Sequence, residues 1–295
     1  MKSLIYSRQL LINSLIIVEN LKSNDLKTGQ RLYEDLQYKV WAQGNFNLEY
    51  HNPQSAAEFV QLLLSIKDRV QNHGVYPWLH LEIHGNTKGL AFGDSEELLK
   101  WETIRPILIE INTAIKFNLF ISLAVCFGAY ILIEILDIGS TAPFMGCYAS
   151  EKTETAGDIE KVFTQFYDEF FSSWKLQRAV QKVRDNVSGT KFQLYQSENL
   201  FLRSYVFYLR RQLTPASMEK RWKKYVESQK IRGNAKLKRK KRREYLRHLQ
   251  DDTFNRAAFV KTRNDFFGLN STNEEQYANL NYDALKKFSK ILKKR

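Results

Sequence analysis

The stretch FISLAVCFGAY, residues 120–130, decides how this chain folds. An apolar run that reaches a cysteine and, two places later, a glycine fits a membrane segment, a buried strand, or a strand-to-helix turn that presents a nucleophile. Residues 117–133 hold only Asn118 and Ser122 as conspicuously polar positions, and seventeen residues is near the lower limit for a spanning helix. Against that, Glu134 and Asp137 follow closely, and the central CFGA suits a turn. A parallel sheet covered on both faces makes strands just as continuously apolar. The surroundings favour that explanation, so no membrane span is expected.

Outward from this stretch, strand-like and helix-like segments alternate, which predicts an α/β chain with a doubly wound, mostly parallel sheet. LIIVEN (15–20) reads as a first strand, followed by a helix over 26–38. FNLEYHN (46–52) alternates as a second strand, and Pro53 and Ser55 open an amphipathic helix through AAEFVQLLLSIKDRV (56–70). PWLHLEIHGN (77–86) makes a third strand that stops at a glycine. WETIRPILIEINTAI (101–115) makes a helix whose first turn Pro106 pushes later. The fourth strand is FNLFISLAVC (117–126), the helix after it GAYILIEIL (128–136), the fifth strand PFMGCYAS (143–150) and the fifth helix GDIEKVFTQFYDEFF (157–171). Beyond about residue 187 strands give way to helical spacing in 199–213, 216–231 and 279–292. Asn186, Ser188 and Gly189 mark a boundary between a domain over 1–187 and a basic, mainly helical module over 188–295.

Composition narrows the setting. The chain of 295 residues is 43% hydrophobic, enough for a full core. Its two cysteines, Cys126 and Cys147, cannot make the disulfide framework of a small secreted protein, and MKSLIYSRQLLINSL (1–15) lacks a signal-peptide pattern, so a reducing cytoplasm is expected. The net charge of +13 is local: residues 201–250 carry 17 Lys or Arg against 3 Glu, while the rest holds 28 basic and 29 acidic side chains.

In a doubly wound sheet the carboxyl ends of adjacent strands form the ligand crevice. His84 closes the third strand and Cys126 the fourth, so residues 42 apart in sequence are predicted at one edge. A thiol near its ordinary pKa is weakly ionised and needs a nearby imidazole to act as nucleophile. Gly85 would let the backbone turn and aim its N–H at an oxyanion beside the N–H of Cys126. Gly128 would relieve crowding where strand becomes helix, and a helix starting just after Cys126 would favour thiolate. The same two residues also fit the core edge of a non-catalytic α/β domain.

A strand ending in His-Gly, then an apolar strand ending in small-x-Cys-x-Gly, resembles the caspase-like (clan CD) cysteine peptidases, especially their prokaryotic caspase-like and CHAT branches. NTKGLAFGDSEELLKWETIRPILIEIN after the histidine is similar to the family's hairpin and following helix. APFMGCYASEKTETAGDIEKVFTQFYDEFF after the cysteine is similar to its fifth strand, loop and Phe-Tyr helix. The likeness spans about residues 14–175. It implies a caspase-hemoglobinase type of sheet, with Cys126 as nucleophile, His84 as general base and acid, and Gly85 as second oxyanion donor. The implied reaction is peptide-bond hydrolysis on a protein substrate, in an effector switched on by a nucleotide signal or a regulatory protein, with antiviral defence as the suggested context. Ala124 stands where animal caspases carry Gln and metacaspases Asp, which puts strict caspase specificity in doubt. Glu19, Glu151 and Asp158 would line a pocket for a basic residue or serve as solvated loop acids.

The remaining histidines read otherwise: His73 in a loop, His80 in the strand interior as a satisfied core residue, His51 at the second strand's end. Cys147 reads as a small core residue. No zinc spacing, phosphate loop or paired nuclease carboxylates stand out, and no metal or cofactor is expected. KLKRKKRR (236–243) sets Lys236, Lys238, Arg239, Lys240, Lys241, Arg242 and Arg243 in eight positions. With Trp222, Tyr225 and Tyr245 interleaved across 220–247, the composition suits nucleic-acid or phosphate contact, or equally a solvated helix that keeps the protein soluble. ALKKFSKILKKR (284–295) adds a weaker membrane-surface option. The two functional classes are thus a cysteine peptidase and a nucleic-acid-binding protein on an inert scaffold.

Overall fold

The computed structural model of the chain describes residues 10–230, 234–269, 277 and 279–286. The chain divides into two compact units, the first formed by residues 1–137 and 142–197 and the second by residues 138–141 and 198–295.

The first unit is α/β. Its strands are β1 (Ser14–Asn20), β2 (Asn47–His51), β3 (Pro77–Asn86), β4 (Gly89–Phe92), β5 (Glu97–Lys100), β6 (Phe120–Leu123), β7 (Gly146–Ser150) and β8 (Phe192–Gln196). Its helices are α1 (Thr28–Trp41), α2 (Ala56–Asn72), α3 (Trp101–Ala114), α4 (Ile131–Ile135), α5 (Ala156–Ser173) and α6 (Leu176–Asn186). The central sheet runs β2-β1-β3-β6-β7-β8, parallel throughout except that β8 lies antiparallel to β7. β4 and β5 form an antiparallel ribbon continuing from the end of β3, the hairpin expected between the histidine and the next helix.

Alternation along the buried strands builds two cores. Leu79, Leu81, Ile83, Ile121 and Leu123 face a cluster with α2, α3 and α4. Trp78, Phe120, Ala124 and Tyr148 face the other, with α1, α5 and α6. On α5, Phe163, Phe166, Tyr167, Phe170 and Phe171 recur at three- and four-residue steps and bury one aromatic stripe against Trp78 and Tyr148. Ser55 caps α2 by accepting from the Glu58 N–H at 3.2 Å, as its place before the amphipathic run predicts. Helices on both faces of the sheet make each strand two-sided and apolar, which is why 117–133 mimics a membrane segment. That stretch is in fact a strand, a turn and two short helical pieces, and among the described residues no helix is long and apolar enough to cross a membrane.

Several elements differ from expectation. α3 starts at Trp101 despite Pro106, which lies in the helix interior. The helix after the cysteine is only a 3-10 turn (Gly128–Tyr130) and the five residues of α4. The sheet continues past residue 187 to Gln196, because Phe192 and Gln196 tuck inward while β7 still offers an unpaired edge.

The second unit contains α7 (Ser197–Gln212), α8 (Pro215–Ser228), α9 (Ala235–Gln250) and α10 (Asp252–Phe266). Phe201, Tyr205, Phe259, Phe266 and Phe267 form its aromatic core. Residues 1–9, which open the chain, and 287–295 of the basic end lie outside the described residues.

Candidate active site

Strand order reverses between β1 and β3, since the chain steps from β1 to β2 on one side and returns to β3 on the other. The carboxyl edge at such a reversal is where open α/β sheets hold ligands. His84 stands there near the end of β3, its Nε2 2.6 Å from Oδ2 of Asp25, which lies in the loop after β1. The pair is half exposed, with His84 at 40% and Asp25 at 32%. Asp25 also accepts from the Lys22 N–H at 2.9 Å. Burial alone would raise the Asp25 carboxyl; the hydrogen bonds from His84 and Lys22 and the charges of His84 and Lys27 outweigh it and hold the group below its ordinary value.

β6 is the neighbour of β3, with His80 opposite Ser122 and Leu81 opposite Leu123, and the Ala124 N–H extends the ladder to the Leu81 carbonyl at 2.9 Å. Cys126 lies three residues beyond the end of β6 rather than within it. Alternation nonetheless persists: Ala124 joins the α1/α5 core and Val125 the opposite one. His84 continues the even-numbered phase of β3 that Trp78 and His80 turn toward α5, whereas Cys126 lies in the turn after β6. The two backbones are in close approach, since a Cβ on Gly85 would stand 3.4 Å from the Cys126 carbonyl oxygen and 2.4 Å from Cγ1 of Val125.

The turn after Cys126 is strained. Phe127 adopts φ 59°, ψ 22°, the left-handed region that a bulky side chain rarely enters, and its N–H is tied to the Lys152 carbonyl at 3.0 Å. The Gly128 N–H closes back on the Val125 carbonyl at 3.0 Å. Gly128 is small because a Cβ would lie 3.0 Å from that of Leu123, so it relieves crowding as expected. Cys126 is half-buried, its Sγ 3.8 Å from the Glu154 carbonyl oxygen. Cys147 is sealed in the core, where burial pushes its thiol up and leaves it unreactive.

Two expectations about this edge need correcting. Gly85 is not a turn: β3 runs on to Asn86, with Gly85 opposite Leu90, and the glycine is required by the close approach of Val125. A helix dipole acting on Cys126 is likewise weak, because the pieces that follow span three and five residues.

The residues expected to grip a substrate have local partners or, for Ala124, a place in the core. Glu19 is fully buried and accepts from the Gly29 N–H at 2.7 Å and from the Tyr50 hydroxyl at 2.7 Å, a buried cap of α1 rather than a loop acid. Glu151 accepts from Tyr195 at 2.7 Å, and Asp158 exchanges hydrogen bonds with Thr155 to cap α5. Ala124 is buried in the core. His80 is buried between Phe163 and Tyr167, His51 pairs with Glu49 at 3.1 Å, and His73 is exposed.

Of the basic run, Lys236, Lys238, Arg239, Lys240, Lys241, Arg242 and Arg243 all lie on exposed turns of α9. Arg242 pairs with Glu219 of α8; the other six have no carboxylate partner among the described residues. Tyr225 stacks on Tyr245 with centroids 4.6 Å apart and Trp222 lies 5.6 Å from Tyr245, so these aromatics fasten α8 to α9 instead of interleaving with free cations. Among the described residues no cluster of three or more His, Cys, Asp or Glu could hold a metal ion.

Asp25 is the member that sequence reasoning missed. Its signal was a carboxylate among turn-forming residues in the loop that leaves the first strand at the crevice edge.

This architecture defines an α/β protein with a mostly parallel central sheet, compatible with Rossmann-like and caspase-like folds alike. No protein-family model matches the chain, and no curated protein matches it.

Proposed function

We propose that the chain is a caspase-like cysteine endopeptidase, with Cys126 as nucleophile and His84 as its base, oriented by Asp25. What supports this reading is the close approach of the β3 end to the segment after β6, where a Cβ on Gly85 would stand 3.4 Å from the Cys126 carbonyl oxygen, with a half-exposed imidazole held by Asp25 on the one and a part-buried thiol on the other. Nδ1 of His84 takes the Sγ proton, and the thiolate adds to the scissile carbonyl. The Gly85 and Cys126 N–H groups stabilise the oxyanion. Collapse breaks the C–N bond as His84 returns the proton to the amine; water activated by the same imidazole then cleaves the thioester. The substrate is a protein, and the enzyme is a cytoplasmic effector released by a signal, in antiviral defence. The α7–α10 module serves as its basic regulatory or recruiting appendage.

The test is labelling by a panel of peptidyl acyloxymethyl ketones, read by intact mass. One adduct at Cys126 is expected, lost in Cys126→Ala and reduced at least tenfold in rate in His84→Ala, with Cys147 modified only after unfolding. Equal labelling of His84→Ala overturns the dyad.

A second reading, nucleic-acid binding on an inert scaffold, is favoured by six cations that stand exposed on α9 without a carboxylate partner among the described residues. It predicts salt-dependent retention of DNA or RNA that survives Cys126→Ala, with no labelling at any residue.

A further inference from the structure

The helical unit holds a cleft of about 600 Å3 between α7 and α8, backed by Ile138. Helical spacing explains its lining. Phe207, Tyr208 and Arg211 share one face of α7, and Lys220, Arg221 and Lys224 share one face of α8. Ser204 and Ser217 add a hydroxyl from each helix, one turn earlier.

Four cations converge here, and among the described residues no carboxylate lines the space. The nearby acid of α8, Glu219, is turned to Arg242, whose Nε donates to it at 2.9 Å. None of Arg211, Lys220, Arg221 and Lys224 has a carboxylate partner among the described residues. Converging like charges repel, and an anion in the cleft would relieve that repulsion. The aromatics add a second requirement. Phe207 is 59% and Tyr208 40% exposed, and the Arg211 guanidinium lies over the Phe207 ring at 5.3 Å. Large open rings beside unpaired cations make a stacking surface next to a phosphate site. On α9 the opposite holds, since its aromatics are spent on packing and its charges diverge around an exposed helix. The volume lies within the range of small-molecule sites and is far too small for a duplex.

We propose that this cleft binds a nucleotide with two or more phosphates, its base stacked on Phe207 and Tyr208 and its phosphates held by Arg211, Lys220, Arg221 and Lys224. The site is separate from the peptidase chemistry, and each assignment fails or stands without the other.

The experiment titrates the full chain with a fluorescent N-methylanthraniloyl derivative of ATP, followed by anisotropy. ATP, AMP, inorganic tripolyphosphate and a six-residue oligothymidylate serve as competitors. Saturable binding is expected, displaced by ATP and at least about tenfold less well by AMP or tripolyphosphate, the loss that one charge-assisted or stacking contact gives. Arg211→Ala/Arg221→Ala and Phe207→Ala should each weaken binding about tenfold or more, with the helical circular dichroism signal retained, while Lys182→Ala on α6 leaves it unchanged. If the arginine double variant does not fold, Lys220→Gln/Lys224→Gln, altering only exposed side chains, carries the same expectation. Absence of saturable binding, or full affinity in the cation variants, overturns the site. Tripolyphosphate competing as well as ATP overturns the nucleotide assignment, and a preference for the oligothymidylate replaces it with single-stranded nucleic acid.

Discussion

Asp25 engages Nε2 of His84, and under the proposed peptidase chemistry that leaves Nδ1 for the thiol proton. With Nε2 tied to a carboxylate, the ring is held in one orientation and one tautomer, the service a third group gives a nucleophile–base pair. Asp25→Asn keeps the shape but removes the charge. On the proposed peptidase reading, in which the carboxylate acts through His84 and not on substrate, it should lower kcat by about 10² or more with KM near the parent value. Asp25→Glu should recover part of the loss, and thermal stability should move little because the pair is partly solvated. A change confined to KM, or a matching loss of stability, would make Asp25 a structural residue. That the segments carrying His84 and Cys126 meet was legible, because each closes an apolar run with a glycine at once or two places later. Asp25 was not, because 59 residues separate it from its partner and nothing in SNDLKTG distinguishes it from any turn-forming acid. The strain at Phe127 was equally hidden: glycine is the residue that announces a left-handed turn, and here the glycine beside it is needed for packing.

Among the elements, legibility followed the strength of the periodic signal. β1, β3, α2 and α5 announce themselves through continuous or evenly spaced apolar positions, and their observed limits lie close to the expected ones. β8 did not, since five edge residues reading FQLYQ carry one inward aromatic and two glutamines, a pattern that decides nothing until β7 offers its free side. α6 follows α5 with one short break and was lost in the same way. The junction of β3 with the segment carrying Cys126 gives an element-scale test. A methyl on Gly85 would meet Val125 Cγ1 and, at 3.1 Å, the Gly89 carbonyl oxygen. Gly85→Ala should therefore destabilise by about 1–3 kcal/mol in urea unfolding, the usual range for overpacking. Val125→Ala removes the obstructing methyl, so the double variant should be more stable than the sum of the two losses by about 1 kcal/mol. Strict additivity would place the two segments apart.

For the whole molecule, charge is divided between an evenly balanced body and the strongly cationic stretch over 201–250, and within the body some carboxylates are held by close cationic partners. Glu49 of β2 is the clearest case. It lies on the sheet's outermost parallel strand with its side chain 17% exposed, accepts from Arg69 Nη1 of α2 at 2.8 Å, and meets His51 Nε2 at 3.1 Å. Burial alone would raise its carboxyl; the hydrogen bonds from His51 and Arg69 and the guanidinium charge outweigh that and bring it from an ordinary 4.5 to about 2. A carboxyl depressed on folding stabilises the folded state fully above its unfolded pKa and loses that contribution as pH falls toward its folded one. Between pH 4.5 and about 2 the unfolded chain takes up a proton that folded Glu49 still refuses, so stability must fall across that window. Glu49→Gln cannot titrate. The parent should exceed it by an amount of order 1–3 kcal/mol more at pH 7 than at pH 2.5, read from urea unfolding at both pH values. Asp25, also held below its ordinary 3.8, adds to the parent's acid sensitivity in the same direction and is unchanged in the variant, so it cancels in the comparison. A difference between parent and variant that stays constant with pH would mean that Arg69 and His51 do not hold Glu49 ionised, and that β2 is fixed to α2 by packing alone.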